Sequence, residues 1–167
     1  RSQENTAQLL TQVSGRSGRG KKQGRVIIQT HHTDNQLINQ LIDPNCDYLT
    51  IANGLLEARK NMMLPPYTSQ AFLLCNSANR DKAFSFINDL SFKLSSIKSK
   101  FANLAITSVM SDKMEKVQNR YHFHMLVTSL ERKTLSAFLI EVRKLVSLDS
   151  LPNDVRFAIE VDPITMY

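Results

Sequence analysis

No stretch of this sequence approaches the roughly 18 consecutive apolar residues that a membrane-spanning helix requires, and residues 1–11 are too polar for a secretory signal. The chain is therefore expected to be soluble and cytosolic, with no membrane partner. Cysteine is scarce: Cys46 and Cys75 stand far apart, without a C-x-x-C pairing. That excludes a disulfide scaffold and a cysteine zinc site, and both are expected as small core residues. Acidic residues are missing from one stretch in particular. Between Arg16 and Arg25, the basic residues Arg16, Arg19, Lys21, Lys22 and Arg25 occur with no acid among them.

At 167 residues with 42% hydrophobic content, the chain can bury one good core and part of a second. Its net charge of +6 is unevenly spread. Residues 1–30 hold six Lys and Arg against one acid, residues 31–64 two against four, and residues 65–167 thirteen against ten. A polyanion is the natural partner for the basic stretch, although from charge alone a solvated loop is the simpler reading.

Apolar periodicity orders the chain. Residues 3–14 read as a helix that Gly15 stops, and residues 25–30, with Val26, Ile27 and Ile28, as a strand. The first helix has no plausible start residue, so the chain is expected to be cut from a longer protein. Residues 34–42 and 47–63 read as two helices parted by Pro44, the second burying Ile51, Leu55 and Met62 or nearby positions. They look like a connector, residues 33–64. Leu64-Pro65-Pro66-Tyr67 then breaks any helix, and a domain boundary is expected there.

Residues 65–167 alternate in period. Strands are expected at 70–76, 103–110, 120–128 and 155–161, and helices at 80–97 and 131–146. The first of these helices carries Ala83, Ile87, Leu90, Leu94 and Ile97 inward; the second carries Leu135, Phe138, Leu139, Val142 and Leu145. The strand at 120–128 puts Tyr121, Phe123, Met125 and Val127 on one face and Arg120, His122, His124 and Leu126 on the other. Phe157, Ile159 and Val161 are expected inward on the last strand. Residues 111–119 read as a charged hairpin loop. The order β-α-β-β-α-β describes an α+β domain with a ferredoxin-like, split-βαβ arrangement.

Chemistry concentrates in Q-V-S-G-R-S-G-R, residues 12–19. Gly15 to Lys22 also matches a phosphate-binding P-loop up to its last position, where Lys22 replaces the Ser or Thr that would hold Mg²⁺. That reading fails on context: a P-loop follows a strand and opens a helix, whereas these glycines follow a helix. Two planar, permanently charged guanidinium groups at Arg16 and Arg19 instead suit a nucleotide γ-phosphate held by another lobe. The pairs His31-His32 and His122-x-His124 supply two ligands at most, with no carboxylate or cysteine placed to complete a site, so no metal is expected. Tyr67 and Tyr121 could stack on bases, though packing is commoner for such residues, and Asp162-Pro163 reads as a strand stop.

The stretch T-Q-V-S-G-R-S-G-R resembles motif VI of superfamily 2 helicases. With G-R-V-I-I-Q-T-H-H, L-P-P-Y-T and V-D-P-I following in order, nearly the whole chain resembles the primosomal replication protein N′ family of DNA helicases. The resemblance implies that residues 1–32 end a RecA-like second helicase lobe and that residues 65–167 form a C-terminal domain like ribosomal protein S-ten. It implies that Gln12 and Arg16 face the ATP γ-phosphate, that Arg19 serves as arginine finger, and that Gly15 and Gly18 shape the turn. It also implies a bacterial, nucleoid-associated enzyme that moves 3′ to 5′ along DNA, restarts stalled forks and initiates primosome assembly. The partners would be forked and single-stranded DNA, single-stranded DNA-binding protein and other primosome proteins. ATP and Mg²⁺ would be cofactors of the intact enzyme, as would zinc, with none bound here. The Walker A loop, acidic box and zinc-binding cysteines would precede Arg1, so this segment alone is expected to be inactive. Candidate DNA contacts are Lys21, Lys22, Arg25, Lys113, Lys116 and Arg120. Thr107-Ser108 stands where the family has Gly-Pro. The alternative is a non-enzymatic single-stranded nucleic-acid or protein binding module of ferredoxin-like fold.

Overall fold

A computed structural model describes residues 2–17, 25–146 and 151–163. The chain divides into two compact units, Arg1–Met62 and Met63–Tyr167.

The first unit holds α1 (Ser2–Ser17), α2 (Gln36–Ile42) and α3 (Tyr48–Asn61). Ala7, Leu37 and Ile51, one from each helix, form its small buried core, with Leu41, Cys46 and Leu55 packed against it. Side-chain caps set the helix starts. Asn35 accepts from the Ile38 N–H at 3.2 Å, and Asp47 accepts from the Thr50 N–H at 2.8 Å, each satisfying a donor the helix leaves orphaned. Three expectations need correction. Gly15 does not stop α1, which continues to Ser17; a glycine weakens a helix by only about 1 kcal/mol and need not end one. Residues 25–30 form no strand, because a β-branched run becomes one only where a neighbour completes its ladder, and none pairs with it among the described residues. Met62 is exposed rather than inward, because it caps α3 instead of extending it.

The second unit runs β1 (Ser69–Ser77), α4 (Arg80–Lys98), β2 (Leu104–Ile106), β3 (Met110–Val117), β4 (Arg120–Ser129), α5 (Arg132–Leu145) and β5 (Arg156–Val161). Helix α3 has ended before Pro65 and Pro66, and β1 begins just beyond them. Among the described residues the strands form one five-stranded sheet in the order β2-β4-β1-β5, with β3 pairing β4 beyond β2, and every pairing is antiparallel. Alternation along β1 and β4 sends Ala71, Leu73 and Cys75, and Phe123, Met125 and Val127, into one core. Ala83, Ile87, Leu90 and Leu94 of α4 and Leu135, Phe138, Leu139 and Val142 of α5 complete it.

The expected hairpin loop at 111–119 is a correction: β3 extends to Val117, and the turn is only Gln118-Asn119. Both turn residues are left-handed, with φ of 49° and 63°, the backbone of a two-residue type I′ hairpin. Charge concealed this strand, since Ser111 to Lys116 lacks the apolar alternation that marks a half-buried one. The expected single strand at 103–110 is interrupted after Ile106. Thr107 bridges the interruption, its N–H donating to the Leu126 carbonyl and its Oγ1 accepting from the Leu126 N–H, both at 2.9 Å. Val161, expected inward, is largely exposed at the end of β5.

Phe138 is fully buried and meets Phe101 edge-on, ring centroids 5.4 Å apart. Phe138→Ala should destabilise the unit by about 3–5 kcal/mol through lost burial and the cavity left behind. On the same helix Ile140, 55% exposed, should tolerate alanine within about 0.5 kcal/mol. Urea denaturation of the two variants checks the contrast, and equal midpoints would contradict the packing.

Candidate functional site

Helix α1 presents two faces. Ala7 is fully buried, and Arg16 follows it by roughly two and a half turns, which places it on the opposite side of the helix. Gln12 and Arg16 lie one turn apart and are both exposed, and exposed Leu9 and Val13 flank them on the same side of the helix. Arg16 lies in the last turn of α1, where the negative end of the helix dipole favours a cation and disfavours a bare anion. Any phosphate here would be met by the guanidinium, not by the helix end. Gly15 is helical, and a Cβ added there would meet nothing within 4 Å. It therefore shapes no turn, contrary to expectation. Gly18, Arg19, Lys21 and Lys22 lie outside the described residues, and Arg25 is exposed in an irregular segment.

The buried face of α1 carries an ion pair that pattern reading missed. Glu4 receives two parallel bonds from Arg59 of α3, from Nε to Oε1 and from Nη2 to Oε2, the second at 2.5 Å. Its partners are 55 residues apart in sequence, so no local signal announces it.

The remaining candidates lie on the β3–β4 hairpin of the second unit. Lys116 is exposed, its Nζ 5.2 Å from the centre of the Tyr121 ring, within cation–π range. Tyr121 itself packs against the core, and Tyr67 is 39% exposed. Lys113 lies on β3, and its side chain is outside the described residues. Arg120 is committed within the fold. Its Nε donates to Asn76 Oδ1 at 2.6 Å, Nη1 to Asp154 Oδ1 at 2.8 Å and Nη2 to the Asp154 carbonyl at 2.5 Å.

Asp154 was not singled out from sequence. Its Oδ2 also accepts from Ser77 Oγ at 2.8 Å and the Ala78 N–H at 2.7 Å. The Ser77 hydroxyl, the Ala78 amide and the Arg120 guanidinium together hold the carboxyl down to about 2, against an ordinary 3.8. Pro152-Asn153-Asp154 carries the composition of a turn before β5, a signal the sequence reading passed over, and Asp154 lies in the left-handed region at φ 72°. Its partners on β1 and β4 carry no such signal. Cys75 is buried as expected, and burial pushes its thiol up to about 12, so it is no nucleophile. Cys46 is half-buried against the core of the first unit.

A carboxylate does stand beside the paired histidines, contrary to the expectation that none would. His124 Nδ1 lies 2.7 Å from Asp112 Oδ1, and His122 Nδ1 lies 4.0 Å from Oδ2. No group of three His, Cys, Asp or Glu side chains is arranged to hold a metal among the described residues. His31 and His32 are exposed. Asp162 directly follows β5, and its carboxylate pairs with Arg132. No described helix is long and apolar enough to cross a membrane.

The chain aligns from end to end with proteins of one description, bacterial replication restart proteins. The replication restart protein PriA of Haemophilus influenzae is 31% identical over 163 residues, 98% of this chain and 22% of that protein. The PriA of Rickettsia felis is 30% identical over 167 residues, 100% of this chain and 24% of that protein. The PriA of Bacillus subtilis is 28% identical over 166 residues, 99% of this chain and 20% of that protein. The chain belongs to the PriA family and spans between a fifth and a quarter of the length of these relatives. No protein-family model matches it.

The pKa of Asp154 sets a pH window. Because the folded carboxyl ionises near 2 and the unfolded one near 3.8, the stabilisation is present above pH 4 and lost as pH falls toward 2. Asp154→Asn should therefore melt below the wild type at pH 5–7, with the two curves converging near pH 2. A constant gap across that range would show that the charge of Asp154 is not what its hydrogen bonds to Ser77, Ala78 and Arg120 depend on.

Proposed function

We propose that this chain is a C-terminal portion of an ATP-dependent DNA helicase that restarts stalled replication forks and initiates primosome assembly. The observation that carries the reading is the match of the whole chain to PriA proteins, with Q-V-S-G-R-S-G-R at its start. Gln12 and Arg16 would face the γ-phosphate of an ATP bound by another lobe, with Arg19 as arginine finger. When bound, Mg²⁺-ATP supplies a phosphoryl group whose transfer to water releases the free energy for movement along DNA. Gln12 contributes an amide that can orient a phosphate oxygen. The guanidinium of Arg16 neutralises charge that grows on the phosphoryl oxygens. The exposed placement of Gln12 and Arg16 on one face of α1 supports this role.

Residues 1–32 are accordingly assigned to the end of a RecA-like lobe, 33–64 to a helical connector and 65–167 to a C-terminal domain. The antiparallel order β2-β4-β1-β5, with β4 inserted between β2 and β1, supports a ferredoxin-like assignment like that of ribosomal protein S-ten. Forked and single-stranded DNA are the proposed substrates, and single-stranded DNA-binding protein and other primosome proteins the proposed partners, in a cytoplasmic, nucleoid-associated enzyme. Zinc would belong to another part of the protein.

A second reading, a nucleic-acid binding module, draws on Lys116 beside Tyr121, which pairs a phosphate-neutralising cation with an aromatic ring. Arg120 is the weaker candidate of that cluster because its donors are engaged in the fold.

In a full-length protein carrying this segment, Arg16→Ala and Arg19→Ala should each lower DNA-stimulated ATP hydrolysis by about 10³-fold while leaving DNA affinity within a factor of about two. Wild-type turnover in both would sink the helicase assignment. The 167-residue chain should bind single-stranded DNA weakly, and Lys116→Ala should reduce the slope of log affinity against log salt by about 0.7. An unchanged slope would remove Lys116 from the interface.

A further inference from the structure

The core that fastens α1 to its unit is thin. Among the described side chains of this helix only Ala7 is fully buried, and it meets Leu37 and Ile51. A methyl group permits close approach but offers little to resist rolling or tilting of the helix. What resists is the Glu4–Arg59 pair, in which a planar guanidinium makes two parallel bonds to one carboxylate. Such fork-on-fork contacts constrain orientation as well as distance. The Arg59 side chain is 15% exposed and that of Glu4 33% exposed, so the pair is partly withdrawn from water, the guanidinium more than the carboxylate.

Lever arms make this consequential. From Ala7 to Arg16 the axis runs about 13 Å, so a tilt of roughly 5° about Ala7 displaces Arg16 by about 1 Å. A misplacement of that size is enough to cost a catalytic contact about 10²-fold. We propose that Glu4 and Arg59 are positioning residues for Arg16: the pair fixes the roll and tilt of α1, and with them the presentation of the Gln12–Arg16 face to a nucleoside triphosphate. The proposal rests on the nucleotide-facing reading of Arg16. It adds that α3, which carries no residue of the motif, governs how well that motif works.

The test uses the full-length protein and compares kcat and KM for ATP, DNA affinity and melting temperature in four variants. Arg59→Ala should lower kcat about tenfold with KM and DNA affinity within about twofold, because the contact affected is one that strengthens as charge develops. Arg59→Lys should stay low, since an ammonium cannot make the paired bonds. The double variant Glu4→Arg/Arg59→Glu rebuilds the fork and should recover kcat to within about threefold of wild type. Arg16→Ala tests the underlying reading separately. If Arg16→Ala abolishes turnover while Arg59→Ala and Arg59→Lys keep wild-type kcat, the positioning role is overturned and the reading stands. Lower melting temperatures with unchanged kcat would likewise reduce the pair to a structural tie. If Arg16→Ala turns over normally, the reading itself falls. Should Arg59→Ala fail to fold, Arg59→Lys and the double variant decide by the same criteria.

Discussion

The second unit depends on the pairing of β1 with β4 in a single unbroken register, from Ser69 opposite Ser129 to Ser77 opposite Tyr121. A slip of one residue would turn Phe123, Met125 and Val127 out of the core and bring His122, His124 and Leu126 into it. Both helices pack on the apolar face this register creates, and β2, β3 and β5 attach to one or other of the two strands. The edge is less regular than the centre. The register of β3 against β4 shifts between Ser111 and Lys116, where the strand carries charge and little apolar pattern to hold it.

One end of this sheet is latched by electrostatics rather than by packing. Arg120 opens β4, Asn76 and Ser77 close β1, and Asp154 sits in the turn before β5. The Asp154 carboxylate accepts from the Ser77 hydroxyl, the adjacent Ala78 N–H and the Arg120 guanidinium, and Arg120 also donates to Asn76. The latch joins the ends of three strands with groups that each satisfy several partners, which is how a partly buried charge escapes the cost of isolation. It also explains why a strand-end arginine that looks like a nucleic-acid contact in the sequence is mainly an internal tie.

Legibility followed the physics of each signal. The helices α4 and α5 were readable because Ala83, Ile87, Leu90 and Leu94, and Leu135, Phe138, Leu139 and Val142, repeat at three and four residues and all face one core. Strands β1 and β4 were readable because polar and apolar residues alternate from Arg120 to Met125 in β4 and residues 71–75 of β1 are an unbroken apolar run. What failed were features that depend on distant partners or on the backbone alone. Residues 25–30 have the composition of a strand without a ladder, and β3 has a ladder without the composition. Gln118-Asn119 closes the hairpin through two left-handed residues, a subtler signal than Asn-Gly. For the candidate site, sequence spacing singled out Gln12 and Arg16 but left Arg16 on a turn beyond Gly15, and the two share a helical face only because α1 continues to Ser17. Spacing could not supply Glu4–Arg59 or Arg120–Asp154, because nothing local links their partners.

Charge therefore has to be sorted by what each cation does before it is taken as a map of ligand contacts. Arg59, Arg120 and Arg132 pair with Glu4, Asp154 and Asp162 across separations of 55, 34 and 30 residues. Lys60 and Lys144 instead pair with Glu57 and Glu141 three residues away on their own helices. The difference follows from the side chains: a rigid fork repays the entropy of joining distant segments, whereas a flexible ammonium on a surface helix adds only tenths of a kcal/mol. Arg16 makes neither kind of pair among the described residues. It is exposed at the end of a helix whose opposite side is held by one of the long-range arginine ties. On the proposed nucleotide-facing reading, that exposed guanidinium would meet a nucleotide from outside the unit, and its worth to that ligand would depend on how firmly the helix beneath it is held.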